Sequence, residues 1–154
     1  MKIRFLEPAH RPYRPSPLNY FVYDRYIRTP SVGLNTLATI VKEKEEDTLM
    51  YSESISRIPF HDLEDADIIF IGIFTFAAVR GYQIADFLKK RTKAVIVLGG
   101  LHASMNYREA VRHCDYVLLG EGDETILLFL QALKGEIPMD FAGLTYQKEG
   151  KLVC

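Results

Sequence analysis

Ile68-Ile69-Phe70-Ile71-Gly72-Ile73-Phe74 carries no charged residue and no alternation of apolar with polar. A strand with one face in water alternates, whereas a strand covered on both faces is apolar throughout. Such runs belong to parallel sheets sandwiched between helices. Working outward, Ala94-Val95-Ile96-Val97-Leu98 has the same character and stops at Gly99-Gly100. Ile3-Arg4-Phe5-Leu6, Thr48-Leu49-Met50-Tyr51 and Tyr116-Val117-Leu118-Leu119 read as three further strands. Leu34, Leu37, Ala38 and Val41 fall at i, i+3, i+4 and i+7, which predicts an amphipathic helix that Ser31 can cap. Residues 77–90, 106–113 and 125–133 read as helices between or after the later strands. The alternation predicts a doubly wound α/β fold: a five-stranded parallel sheet in the flavodoxin-like, Rossmann-like order 2-1-3-4-5. Gly143-Leu144-Thr145-Tyr146 and Leu152-Val153 flank the turn signal Glu149-Gly150, so a small C-terminal β-hairpin is expected. It breaks off at Cys154, which suggests a piece of a longer chain.

The 154 residues hold 19 Lys and Arg against 20 Asp and Glu. A net charge of −1 supplies no bulk field to draw nucleic acid or an anionic membrane, and neither is expected as a partner. With 48% hydrophobic and 25% charged residues the chain can fold around a core. No apolar run approaches the roughly 20 residues of a bilayer span, and the N-terminus is too charged for a signal peptide. Cys114 and Cys154 make no disulfide scaffold, zinc site or iron–sulfur site by themselves, so a cytoplasmic location is expected. Residues 8–30 break the rhythm, with five of the seven prolines and four of the nine tyrosines (Tyr13, Tyr20, Tyr23, Tyr26). So long a connection suits an excursion along the sheet edge, a cover for a large flat ligand, or a face for another domain.

Open α/β sheets bind ligands beyond the carboxyl ends of their strands. Here that rim holds Glu7, Pro8, Ala9 and His10; Phe74, Thr75 and Phe76; Gly99, Gly100, Leu101 and His102; and Gly120, Glu121, Gly122 and Asp123. Glycines ending strands have an ordinary structural explanation, but two pairs on one rim beside a histidine and a carboxylate favour a ligand shelf. No G-x-G-x-x-G and no P-loop is present, so the phosphate cradle of a dinucleotide or nucleoside triphosphate is lacking. A phosphoacceptor receiver would need aspartate where Phe74 stands. A flavodoxin would need a hydroxyl- and glycine-rich loop where Pro8-Ala9-His10-Arg11-Pro12 stands. His61 and His113 read as surface residues. His102 is either a hydrogen-bonding loop histidine or a ligand contact, and Glu121 either a surface carboxylate or an anchor for polar groups.

Gly99-Gly100-Leu101-His102-Ala103, Asp115 through Asp123 and Gly143-Leu144-Thr145-Tyr146 together resemble the N-terminal cobalamin (B12)-binding domain of B12-dependent radical SAM enzymes. Pro30-Ser31-Val32-Gly33-Leu34 and Asp67 through Ile73 follow the same pattern. The resemblance implies a corrin on the carboxyl rim, with Pro8, Phe74, Thr75, Gly99, Gly100, His102, Gly120, Glu121 and Gly122 as cofactor-binding residues. It implies a cobalamin-binding domain over residues 1–140, and over 141–154 a hairpin or linker leading to the chain's own radical SAM domain. That missing half would carry the C-x-x-x-C-x-x-C motif, the [4Fe–4S] cluster and S-adenosylmethionine. No catalytic or metal-ligating residue is expected here, because His10 stands three residues after Glu7 with no D-x-H-x-x-G around it. The alternative is a flavodoxin-like protein-interaction domain without a cofactor. Gly100→Val is expected to remove binding and spare the fold.

Overall fold

The computed structural model describes residues 1–9, 18 and 30–154. Strands β1 (Ile3–Glu7), β3 (Ile68–Gly72) and β4 (Val95–Gly99) form the centre, with β2 (Thr48–Ser52) outside β1 and β5 (Tyr116–Leu118) outside β4. All four pairings among these five strands are parallel. The predicted order 2-1-3-4-5 is therefore present, but the sheet is larger than five strands. Strands β6 (Leu144–Lys148) and β7 (Lys151–Val153) extend the same sheet to seven, with β6 antiparallel to β5. Tyr116, Val117 and Leu118 stand opposite Tyr146, Thr145 and Leu144, so the hairpin covers an edge that β5 would otherwise expose. Its turn falls at Glu149 and Gly150, both at positive φ (53° and 75°), as a two-residue hairpin loop requires.

Strand parity divides the core into two layers. Ile69, Ile71, Ile96, Leu98 and Val117 face helix α2 (Ala78–Lys89) and the short helices α3 (Leu101–Met105) and α4 (Tyr107–Ala110). Phe5, Ile68, Phe70, Val97 and Leu118 face α1 (Val32–Lys42) and α5 (Gly122–Leu133). On the second side Phe5 stacks on Phe70 at 4.9 Å, and Phe129 of α5 meets Phe70 edge-on at 6.0 Å. The predicted cap of α1 is formed: Ser31 Oγ accepts the Leu34 N–H at 3.3 Å. Of the helix expected over 106–113 only Tyr107–Ala110 forms, and an unexpected short helix, Leu101–Met105, precedes it across Asn106, whose φ of −119° and ψ of 37° are not helical.

Arg4 departs from the apolar pattern of β1. It is 2% exposed, and its guanidinium reaches Asp62 Oδ2 at 2.6 Å and Asp47 Oδ1 at 2.9 Å. Those partners, and the Ile3 and Asp47 carbonyl oxygens that Nη1 also reaches, offset the cost of burying the charge. Among the described residues no helix is long and apolar enough to cross a membrane.

Candidate functional site

Helices α1 and α5 leave a gap over the carboxyl half of the sheet. It is a cavity of about 350 Å³, within the range of small-molecule sites. Phe5, Phe70, Val97 and Leu118 make its floor, and Leu34, Leu37 and Ile126 its helical walls. Phe74, Gly99, Gly100, Gly120, Glu121 and Gly122 ring its mouth. Six residues named from the sequence thus meet around one opening.

The mouth exists because backbone stands where side chains would fill it. A Cβ on Gly122 would lie 2.7 Å from Leu37 Cδ1, so a side chain there would displace the tip of Leu37 where α5 starts against α1. Gly99 differs: a Cβ there meets nothing nearer than the Leu118 carbonyl at 3.7 Å, and Gly99 shares the sheet face of Val97. That face is open above it. Gly100 corrects the sequence expectation about Gly100→Val. Its φ is +91°, and a Cβ would stand 2.9 Å from the Ile73 carbonyl oxygen. The Ile73 N–H donates to Gly99 O at 2.9 Å and the His102 N–H donates to Ile73 O at 3.2 Å, which pins this turn to the end of β3. Gly100 is a requirement of the fold before it is one of any ligand.

Pro8, Thr75 and His102 do not line the cavity. Pro8 turns toward α2, where its Cγ would be 3.5 Å from a Cβ on Gly81. Thr75 begins a short 3-10 turn (Thr75–Ala77), and its Oγ1 lies 3.3 Å from His102 Nδ1. His102 is 9% exposed, set against Tyr82 with ring centroids 5.9 Å apart, on the layer opposite the cavity. His10 and the tyrosines of the 8–30 segment lie outside the described residues.

Ser31, Leu34, Leu37, Ser104 and Asp123 line the cavity and were not singled out as site residues. Leu34 and Leu37 carry a visible helical stripe, which reads equally as core. Ser104 has no local signal; its Oγ accepts the Gly120 N–H at 3.0 Å and ties the loop after β5 to α3. Glu121 stands at the N-terminal end of α5, its side chain making no capping hydrogen bond, and is followed by Asp123 and Glu124 in the first turn. These carboxylates already complement the positive end of the helix, so the mouth disfavours an anion and suits neutral polar groups.

No family model matches this chain. A stretch of 68 residues, 42% of the chain, is 48% identical to the bacteriochlorophyllide d C-8(2)-methyltransferase of Chlorobaculum tepidum, and covers 15% of that protein. The cobalamin-dependent S-adenosylmethionine radical enzyme OxsB, solved with aqua-cobalamin bound, superposes with a TM-score of 0.68 at 16% identity. The overlap is 98% of this chain and 21% of that one. The radical S-adenosylmethionine methyltransferase TsrM from Kitasatospora setae, with tryptophan and a SAM analogue bound, gives 0.70 at 15% identity, over 98% and 29%. The structural neighbours are thus cobalamin-dependent radical SAM enzymes, and this chain has the fold of a segment of each that is under a third of its length.

Proposed function

We propose that this chain is the corrinoid-binding module of a cobalamin-dependent radical SAM enzyme, a methyltransferase or an oxidative cyclase. The observation that carries the reading is the apolar cavity under a glycine-lined mouth at the carboxyl rim, beside the point where strand order reverses between β1 and β3. The residues fit the group. A corrin is a broad ring fringed with amides, and the mouth offers bare backbone at Gly99 and Gly120 with carboxylates at Glu121 and Asp123. Between α1 and α5, Leu34, Leu37 and Ile126 would enclose the apolar end of the nucleotide tail. The bound cofactor supplies methyl-transfer or radical-tuning chemistry at cobalt. This chain contributes binding, orientation and exclusion of water. The [4Fe–4S] cluster and S-adenosylmethionine belong to a radical SAM domain, reached through the segment 141–154.

One observation favours a second reading, an interaction face without a cofactor. Phe74 and Phe76 are 38% and 62% exposed and stack on each other at 5.5 Å. Val79, Leu101 and Met105 are also exposed. Visible-spectrum titration of the chain with hydroxocobalamin separates the two. Saturable binding supports the corrinoid reading. No binding, with a folded protein, overturns it in favour of the interaction face.

A further inference from the structure

The cavity between α1 and α5 changes in chemistry from mouth to floor. Its polar side chains stand on or beside helix ends: Glu121 and Asp123 are exposed at the start of α5, Ser31 precedes α1, and Ser104 belongs to the short α3. Below them the lining is apolar. Phe5, Phe70, Val97 and Leu118 are buried on the floor, and Leu34 and Ile126 are buried in the walls. The floor residues lie in paired strands, so their backbone N–H and C=O groups are taken up by the ladder. Among the described residues, buried side-chain oxygens and nitrogens without a partner belong to Glu7, Ser52, Tyr82, His102 and Thr145, and none of these residues lines the cavity. The inner end thus offers a ligand apolar contact, with aromatic rings at Phe5 and Phe70, and no hydrogen bond. A polar group brought there gives up its water and finds no replacement partner, which is costly.

We infer that this inner end selects the lower base of a corrinoid: it takes an apolar ring, such as dimethylbenzimidazole or a cresol, and rejects adenine. The inference rests on the corrinoid reading and adds to it which members of that cofactor class the chain accepts. Beyond its link to ribose, dimethylbenzimidazole presents two methyl groups and a single ring nitrogen. Adenine presents an exocyclic amine and three ring nitrogens, for which the floor has neither acceptor nor donor.

The test is spectroscopic titration of the 154-residue chain with the methyl forms of cobalamin, adeninylcobamide, p-cresolylcobamide and cobinamide, the last of which has no base. Cobalamin is expected to bind roughly tenfold or more tighter than adeninylcobamide, and p-cresolylcobamide at least as tightly as cobalamin. Adenine is the weaker base and leaves cobalt more readily, so this order cannot come from the cost of detaching the base. Val97→Thr keeps the β-branched shape and sets one hydroxyl on the floor. It is expected to narrow the gap several-fold by strengthening adeninylcobamide. Equal affinity of the wild type for cobalamin and adeninylcobamide overturns the inference and leaves the corrinoid reading standing. A p-cresolylcobamide as weak as adeninylcobamide does the same, because a ring nitrogen would then be what is recognised. So does cobinamide binding as tightly as cobalamin, since the base would then lie outside the cavity. An unchanged gap in a folded Val97→Thr overturns the assignment of the selection to this floor. A wild type that binds none of these corrinoids overturns both the inference and the reading beneath it.

Discussion

The Gly120 N–H donates to Ser104 Oγ at 3.0 Å across 16 residues of sequence. That bond joins the loop after β5 to α3, the helix that follows Gly99 and Gly100 at the other side of the mouth. Ser104→Ala removes it without adding bulk. A loss of about 0.5–1.5 kcal/mol in urea denaturation is expected, with a several-fold weaker hydroxocobalamin titration as the Gly120 loop loses its tether. A fall in stability with binding intact would show that the tether serves the fold alone.

Gly99 and Gly100 are adjacent yet should answer substitution in opposite ways. Gly99→Val places its branch over an open part of the sheet face. It should melt near the wild type and bind hydroxocobalamin weakly or not at all. Gly100→Val forces a β-branched residue to φ +91° against the Ile73 carbonyl. It should cost about 2 kcal/mol or more of stability. Paired thermal melts and titrations check both.

Asp62 gathers three donors: Arg4 Nε at 2.6 Å, the Tyr51 hydroxyl at 2.7 Å and Lys2 Nζ at 3.1 Å. The bond from Arg4 is the main reason its carboxyl is held far below the usual carboxylate range; burial opposes it, and Tyr51 and Lys2 add to it. Because the folded state lowers this pKa, the stabilisation is fully present above the unfolded value of about 4 and is lost as pH falls toward the folded one. Asp62→Asn should be less stable than wild type by about 1–3 kcal/mol at pH 7. The gap should shrink progressively as pH falls below about 4 in denaturant melts. A gap that does not change with pH would remove the charge from the explanation.

Cys114 is 4% exposed and its Sγ donates to the Ala110 carbonyl at 3.3 Å, while Cys154 is exposed. Burial pushes the Cys114 thiol up to about 12. The thiolate is the reactive form, so a chromogenic disulfide reagent at pH 8 should titrate one thiol in the native protein. The second should appear only in denaturant. Two fast equivalents in the native state would mean that the layer around α4 opens readily.

The strands at the centre of the sheet were legible because burial on both faces leaves almost no position for a polar residue, so Ile68 to Ile71 and Val95 to Leu98 identify themselves. The α1 stripe with its Ser31 cap and the Glu149–Gly150 turn were legible for the same local reason: period and backbone preference are written in neighbouring residues. The glycines of the mouth could be found the same way, but not their separate causes. Only the assembled sheet sets Gly100 against the Ile73 carbonyl and leaves Gly99 open. Only strand parity and the turn after β4 carry His102 to the layer opposite the cavity, although it stands three residues from Gly99. The join of β5 to the hairpin, the burial of Arg4 beside Asp62 and the tether from Gly120 to Ser104 all depend on residues distant in sequence. Sequence period determines which way an element's own side chains point; what they meet there is decided when helices and strands pack.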